Sequence, residues 1–386
     1  MSFGVYLHFP YCLAKCPYCD FASTAAAPPH QRYARAVGLE LELRASDCLG
    51  RAAGSLYLGG GTPSLWEPAE AARAVESIRG RVAFAPDAEL TLEANPGASD
   101  ATRFADFHRL GFNRLSIGVQ SFDDGTLARL GRVHSSAEAI AAVRAAREAG
   151  FDNLALDLLY GAPEQDLAMA RRDAEQAVAL SPQHLSAYSL TLDFLAVEVP
   201  MARSVDQGAL AVPDSDLQWE MAQAIDSTLS AGGFARYEIS NWARPGMRSR
   251  HNTLYWTGGE YLGLGCGATG FALDDPADPS RGGRRWSNHR DPARWLSDVE
   301  AGRLPEAATE RLDAATLLRE RMALGLRQVD GVDLAQACTA LRQESAALYE
   351  AAHSLAGRGL ATLTGSVVAL TARGLDVHSE AVLAFV

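Results

Sequence analysis

Short β-branched or aliphatic runs alternate with longer amphipathic stretches along the first half of this chain, and that alternation restricts the possible folds more than any other feature. The runs cover residues 5–8, 55–58, 89–93, 114–118, 153–158 and 184–190, each with the length and composition of a strand. Between them, residues 31–45, 68–79, 101–110, 137–149 and 167–180 carry apolar residues at helical spacing. Gly111 and Gly150 stand where helices stop. Six such units call for a parallel sheet with both faces covered, because each crossover lays a helix on a face. An open doubly wound sheet and a partial (β/α)6 barrel both satisfy the pattern.

In either architecture the working residues gather beyond the C-terminal ends of the strands. Gly59-Gly60-Gly61-Thr62 follows the second strand, Glu93-Ala94-Asn95-Pro96 ends the third, Gln120-Ser121-Phe122 follows the fourth, and Asp157 closes the fifth. Polar residues or glycines at four strand ends are expected to form one site.

Immediately after the first strand comes Phe9-Pro10-Tyr11-Cys12-Leu13-Ala14-Lys15-Cys16-Pro17-Tyr18-Cys19-Asp20-Phe21. Cys12, Cys16 and Cys19 can hold three irons of a cubane, leaving the fourth iron without a protein ligand and therefore open to a substrate. Zinc also accepts three thiolates, but no histidine or fourth cysteine follows at finger-like spacing, and His30 is the nearest downstream histidine. The other three of the six cysteines, Cys48, Cys266 and Cys338, are scattered and read as small buried hydrophobes.

Composition removes several alternatives. A net charge of −12, with Lys15 the only lysine among 35 basic residues, leaves no concentrated positive surface for nucleic acid. With 48% hydrophobic and 21% charged residues the chain belongs with ordinary soluble proteins. No apolar run approaches the roughly 20 residues of a spanning helix, and the N-terminus lacks the order of a signal peptide. A cytoplasmic location is expected. At 386 residues the chain exceeds what one core usually serves, so a large domain with smaller additions is expected.

Beyond residue 200 the pattern loosens into Gly- and aromatic-rich sequence through Asp275, then a Pro/Asp/Gly/Arg loop to Arg285, the marks of an added lobe. From Thr309 onward helices precede an alternating stretch over residues 359–370 and a last helix opening near Thr371. Helices followed by a β-wing suggest a small winged-helix-like appendage. Three divisions are therefore expected: 1–200 for the α/β barrel, 201–300 for a linking lobe, and 301–386 for the helical, winged-helix-like end.

The cysteine loop, with aromatic Tyr18 just before the last cysteine, resembles the signature of the radical-SAM superfamily. That resemblance implies a [4Fe–4S] cluster whose open iron chelates the amino and carboxylate groups of S-adenosylmethionine (SAM), an electron donor to reduce it, and a partial (β/α)6 barrel. Around such a ligand, the Gly59–Gly61 turn would let backbone approach closely, and Glu93, Gln120, Arg132 and Asp157 could bind ammonium, ribose hydroxyls and carboxylate.

Further runs narrow the resemblance. Tyr6-Leu7-His8-Phe9-Pro10-Tyr11-Cys12, Gly59-Gly60-Gly61-Thr62-Pro63-Ser64, Glu93-Ala94-Asn95-Pro96, Ser116-Ile117-Gly118-Val119-Gln120-Ser121-Phe122 and Tyr237-Glu238-Ile239-Ser240-Asn241 look like the oxygen-independent coproporphyrinogen III oxidase family, over essentially the whole chain. Family roles carried onto matching positions give SAM contacts at Tyr6, Tyr18, Gly60, Gly61, Thr62, Glu93, Gln120, Arg132 and Asp157, with Leu190 and Thr269 following by position. Within that family, Arg250-His251-Asn252-Thr253-Leu254-Tyr255-Trp256 resembles the His-Asn-x-x-Tyr-Trp signature of HemW-type haem chaperones. True oxidases carry another cysteine two residues after the third; here Phe21 stands there. The chaperone branch is thus favoured over radical decarboxylation of coproporphyrinogen III and over a haem-degrading SAM methyltransferase.

The chaperone resemblance implies haem as ligand, residues 201–300 as a haem-binding lobe, and acceptor proteins, respiratory enzymes among them, as partners. His251, Asn252, Tyr255 and Trp256 are expected to contact haem, since imidazole is a common axial ligand of its iron and the two aromatics can line a flat apolar molecule. One departure stands out: Thr269-Gly270 occupies the place where His-Ser is expected after Ala268.

Overall fold

Strand pairing begins at the N-terminus and proceeds without a crossing. In the computed structural model, which describes residues 3–48, 50–97, 102–193 and 198–385, six strands lie side by side in sequence order: β1 (Phe3–Phe9), β2 (Ala52–Gly60), β3 (Ala83–Ala94), β4 (Arg114–Gln120), β5 (Asn153–Tyr160) and β6 (His184–Ser189). Each pairs in parallel with the next. β1 and β4 are buried almost end to end, as a parallel sheet covered on both faces requires. Five of the six runs read from the sequence fall within these strands, and the sixth, 184–190, overshoots β6 by one residue, Leu190.

Helices follow where helical spacing predicted them: His30–Leu43, Pro68–Arg79, Ser136–Glu148 and Leu167–Ala179. The helix expected over 101–110 runs over Phe104–Arg109, and Ala101 lies outside the described residues. Local chemistry fixes their starts. Ser135 and Glu138 form a reciprocal capping box, and the Asp166 carboxylate accepts from the Met169 amide at 2.7 Å, each satisfying a backbone donor that the helix cannot.

The stretch after residue 200 is more regular than its composition suggested. Helix Ser215–Ala231, capped by Asp214, buries Met221, Ile225 and Leu229 and packs on Leu167–Ala179. Six further strands extend the same sheet: β7 (Ala235–Glu238), β8 (Asn241–Ala243), β9 (Glu260–Leu264), β10 (Thr269–Leu273), β11 (Gly283–Asn288) and β12 (Glu306–Leu312). β8 and β7 continue it antiparallel beyond β6. β9 pairs in parallel with β1, Phe3 opposite Glu260, and β10, β11 and β12 follow antiparallel. The order is β12-β11-β10-β9-β1-β2-β3-β4-β5-β6-β8-β7, open at both ends, so the barrel is partial.

The principal core lies between this sheet and its helices, where Trp66 stacks on Phe9 with centroids 4.8 Å apart. At the C-terminal end, helices Ala314–Gly325, Leu334–Leu341 and Ala346–Gly357 pack with a three-stranded sheet of β13 (Val332–Asp333), β14 (Ala361–Thr364) and β15 (Val367–Leu370). This is the helices-then-wing order read from the sequence. Its apolar core includes Phe271 of β10 and Leu312 of β12, which fasten it to the sheet. No helix among the described residues is long and apolar enough to cross a membrane.

Candidate functional site

The three cysteines sit on the loop that leaves β1, and backbone hydrogen bonds tie that loop to the turn after β2. The Gly61 amide donates to the Phe9 carbonyl and the Thr62 amide to the Tyr11 carbonyl, each at 2.8 Å. Such closeness excludes side chains. A Cβ on Gly61 would stand 2.8 Å from Pro10 C and Tyr11 O, while Gly60, at φ +115°, lies against the His8 ring, so both positions need glycine.

His8 pins the other end of the loop. Its Nε2 lies 2.8 Å from the Ala22 carbonyl, which only accepts, and its Nδ1 lies 2.9 Å from the Tyr6 hydroxyl. The ring is therefore neutral with the proton on Nε2, and Tyr6 donates to Nδ1. Burial pulls His8 down to about 4. An unfolded chain, near 6.5, takes up this proton earlier than the folded one, so stability falls as pH drops from about 6.5 toward about 4. Between about pH 7.5 and about pH 5 the wild type should lose about 2 kcal/mol more in urea unfolding than His8→Gln, which lacks the titrating ring. Equal losses in both would show that His8 is not held neutral.

All three cysteines are free thiols and part-buried. Burial raises the Cys12 and Cys19 thiols, and the charges of their fellow cysteines raise them further. Cys12 and Cys19 thus resist becoming thiolates unless cations join them, which the irons of a cubane would do. Among the described residues no three His, Cys, Asp or Glu side chains converge on a single ion; a cubane asks for one thiolate on each of three irons instead.

Strand ends supply the rest of the cradle. Arg132 reaches Cys16 Sγ at 3.6 Å from Nη1, and its Nη2 donates to Asn95 Oδ1 at 2.6 Å and to the Gly118 carbonyl at 2.9 Å. Asn95 Nδ2 donates in turn to Thr62 Oγ1 at 2.7 Å. A hydrogen-bonded chain thus runs from the cysteine loop across the ends of β3 and β2. Glu93 accepts from the Tyr57 hydroxyl at 2.6 Å and the Gly60 amide at 2.9 Å. Burial, reinforced by the Asp157 charge, lifts its carboxyl to about 7. Asp157 accepts from Ser116 Oγ at 3.1 Å and is likewise raised by burial. Gln120, left-handed at φ +67°, folds its amide back toward Gly118.

The fold therefore brings Gly60, Gly61, Thr62, Glu93, Gln120 and Arg132 to one end of the parallel strands beside the cysteines, whereas Tyr6 sits in the middle of β1 and Asp157, expected to close the fifth strand, lies three residues before the end of β5 at Tyr160. Tyr18 packs against an apolar cluster that contains Leu190. Thr269 stands at the start of β10, lining the same large cavity as Tyr6 and His8, with its hydroxyl 3.1 Å from that of Ser287. Beside it, Gly270 lies so close to the Trp286 ring that no side chain fits, which accounts for glycine where serine was expected.

The run from His251 to Trp256 is a short helix, Arg250–Trp256. Its first amides, of Arg250 and His251, donate to the two oxygens of Glu89, each at 3.1 Å. His251 is 1% exposed. Its Nδ1 lies 2.8 Å from Ser55 Oγ and its Nε2 2.8 Å from the Tyr255 hydroxyl, and burial, aided by the Arg114 charge, pulls it down to about 3. The imidazole is neutral and engaged at both nitrogens, so in this arrangement neither is free to ligate iron. Tyr255 stands in front of it and lines a large cavity, whereas Trp256 lines a smaller one, with the Arg327 guanidinium 4.5 Å over its ring. The Asn252 amide donates to Ser249 Oγ at 3.3 Å.

Sequence reasoning passed over Tyr57, Asn95 and Glu89. Asn95 lay inside a quoted strand-end motif, so position could have found it; Tyr57 and Glu89 carry no signal apart from their place in a strand.

A parallel sheet with a three-cysteine loop after β1 and a cradle at its strand ends defines the radical-SAM class, and residues 6–177 match the model of the Radical SAM superfamily. Residues 312–377 match the HemN C-terminal domain. The chain is similar to the haem chaperone HemW of Mycobacterium tuberculosis, 38% identical over 377 residues covering 96% of this chain and 92% of that protein. It is also similar to haem chaperone HemW of Escherichia coli K12, 40% identical over 269 residues and 69% of each chain, and of Bacillus subtilis, 30% identical over 99% of this chain and 98% of that one. The chain belongs to the HemW family. Among solved structures, coproporphyrinogen III oxidase (HemN) from Escherichia coli superimposes with a TM-score of 0.82 at 21% identity, over 100% of this chain and 90% of that one, a likeness of fold.

Proposed function

We propose that this protein is a cytoplasmic haem chaperone: it binds haem, holds a SAM-ligated [4Fe–4S] cluster on Cys12, Cys16 and Cys19, and passes haem to acceptor proteins, respiratory enzymes among them. Family membership supports the first part, and superfamily membership implies the cluster and SAM. The observation that carries the choice against oxidase chemistry is Phe21. Where oxidases of the wider family have a further cysteine, this chain has an aromatic ring that is 62% exposed and lines the large cavity. An exposed apolar face beside the cysteines suits a flat apolar cargo.

Bound at the loop, the cluster would supply one electron at a time from an external donor. The residues on the page have other tasks. Glu93 and Asp157 would hold the SAM ammonium and ribose, Gly60 and Gly61 admit its methionine end, and Arg132 fixes Cys16 and the turn through Asn95. His251, itself held by Ser55, positions the Tyr255 hydroxyl at the edge of the cavity where haem would lie.

The test is a single anaerobic sample reconstituted with iron and sulfide, titrated with haem and then given coproporphyrinogen III, SAM and reductant. A shifted Soret band with no decarboxylation is expected. Catalytic formation of protoporphyrinogen without haem binding would overturn the proposal.

A further inference from the structure

Between the β9–β11 side of the sheet and the C-terminal domain lies a cavity of about 890 Å³, the size of a small-molecule site. Its walls are mainly apolar. Phe21 comes from the cysteine loop, Tyr255 from the helix after β8, Tyr261 and Phe271 from β9 and β10, and Leu317 and Leu341 from the C-terminal helices.

Two guanidiniums in this wall form no ion pair among the described residues, Arg290 and Arg321, and of these Arg290 is exposed to water whereas Arg321 is not. Arg321, on helix Ala314–Gly325, is part-buried and lines the cavity. It donates to the Thr257 carbonyl, and among the described residues no carboxylate forms an ion pair with it. Burial alone shifts its guanidinium, downward. Its neighbour Arg285 is different, paired with Glu320 at 2.9 Å, and Arg290 donates to the Asp20 carbonyl. A guanidinium cannot shed its proton to escape burial, and an uncompensated charge against an apolar wall is costly. Folding leaves this cost in place, and a ligand that brings a carboxylate into an otherwise apolar space removes it.

Haem has that chemistry, a flat apolar macrocycle with two propionates on one edge. We infer that this cavity is the haem seat, with the macrocycle between the aromatic residues of the sheet side and the leucines of the C-terminal domain, and a propionate on Arg321. The inference rests on the haem-chaperone reading and gives it a location in which the C-terminal domain forms one wall.

The full-length protein should be titrated with iron protoporphyrin IX and with its dimethyl ester, as wild type and as Arg321→Gln, with the unfolding temperature of each apo form recorded. Wild type should bind the diester about 10- to 100-fold more weakly than the free acid, the worth of one charge-assisted hydrogen bond. Arg321→Gln should bind the free acid weakly by a similar factor and no longer distinguish acid from diester. Its apo form should unfold no earlier than wild type, since an unbalanced charge has gone; a purely structural arginine would show the reverse. The effect of SAM on the cluster's paramagnetic spectrum should be the same in both proteins.

Equal affinity of wild type for acid and diester, a measurement that needs no variant, would overturn the seat while leaving the chaperone reading intact. So would unaltered haem binding by Arg321→Gln. A weakened SAM response in Arg321→Gln would assign the guanidinium to the SAM carboxylate instead. Absence of haem binding by wild type would sink the chaperone reading and the seat together.

Discussion

Replacing any one of Cys12, Cys16 or Cys19 with Ala should abolish the broad visible absorption of the anaerobically reconstituted protein, whereas Ala at Cys48, Cys266 or Cys338 should leave it intact. The contrast follows from the environments. The three loop thiols share one electrostatic neighbourhood and are part-buried. The other three are buried and free. The Cys266 thiol donates to the His289 carbonyl at 3.2 Å, and burial pushes it up to about 12, where it is a poor ligand. Absorption and iron content decide the matter, and loss of the cluster in Cys266→Ala would reassign the ligands.

Glu93→Ala should raise the Kd for SAM by about 10- to 100-fold without removing the cluster, because it deletes a charge that faces an ammonium group. It also strands the Tyr57 hydroxyl and the Gly60 amide, both now bound to that carboxylate. Burial lifts the Glu93 carboxyl to about 7, which adds a pH signature. Below that value the carboxyl is protonated and has no charge to offer, so wild-type affinity should fall as the pH drops, approaching about tenfold per unit. Glu93→Ala should show no such slope between about pH 7 and about pH 5.5. The perturbation of the reduced cluster's paramagnetic spectrum by SAM reads both quantities. A slope of the same size in the variant would place the titrating group elsewhere.

The elements that could be read in the sequence are those whose local chemistry alone decides them. The parallel strands are nearly continuous apolar runs, as burial on both faces demands, and the crossover helices announce themselves by spacing and caps. The strand-end motifs followed from that topology. β7, β8, β9 and β10 were not legible, because strands of three to five residues acquire their register from the edge they join rather than from their own pattern. Helix Ser215–Ala231 is a different case, since Met221, Ile225 and Leu229 recur every fourth residue and the spacing was available.

For the site, residue type was legible and orientation was not. His251 belongs to a recognisable run, yet whether its ring faces a ligand or Ser55 depends on where Glu89 and β2 hold the helix. Arg321 was invisible. Among 35 basic residues, what sets it apart is the combination of partial burial, a place in the wall of an apolar cavity and no ion pair among the described residues, a property of the folded molecule alone.

The position of β1 has a consequence in time. It is an interior strand, flanked by β2 on one side and by β9, from the far part of the chain, on the other. A ribosome needs on the order of tens of seconds to travel from one to the other. Throughout that interval the strand that carries the cysteine loop has one bare edge, and neither the Cys266 amide nor the Gly265 amide has yet reached Tyr33 and Glu40, their partners in the finished fold. Any cluster delivered during synthesis would therefore meet a loop framed on one flank and open on the other. The flank on which Gly265 and Cys266 later fasten Glu40 and Tyr33 is the last part of the loop's frame to form.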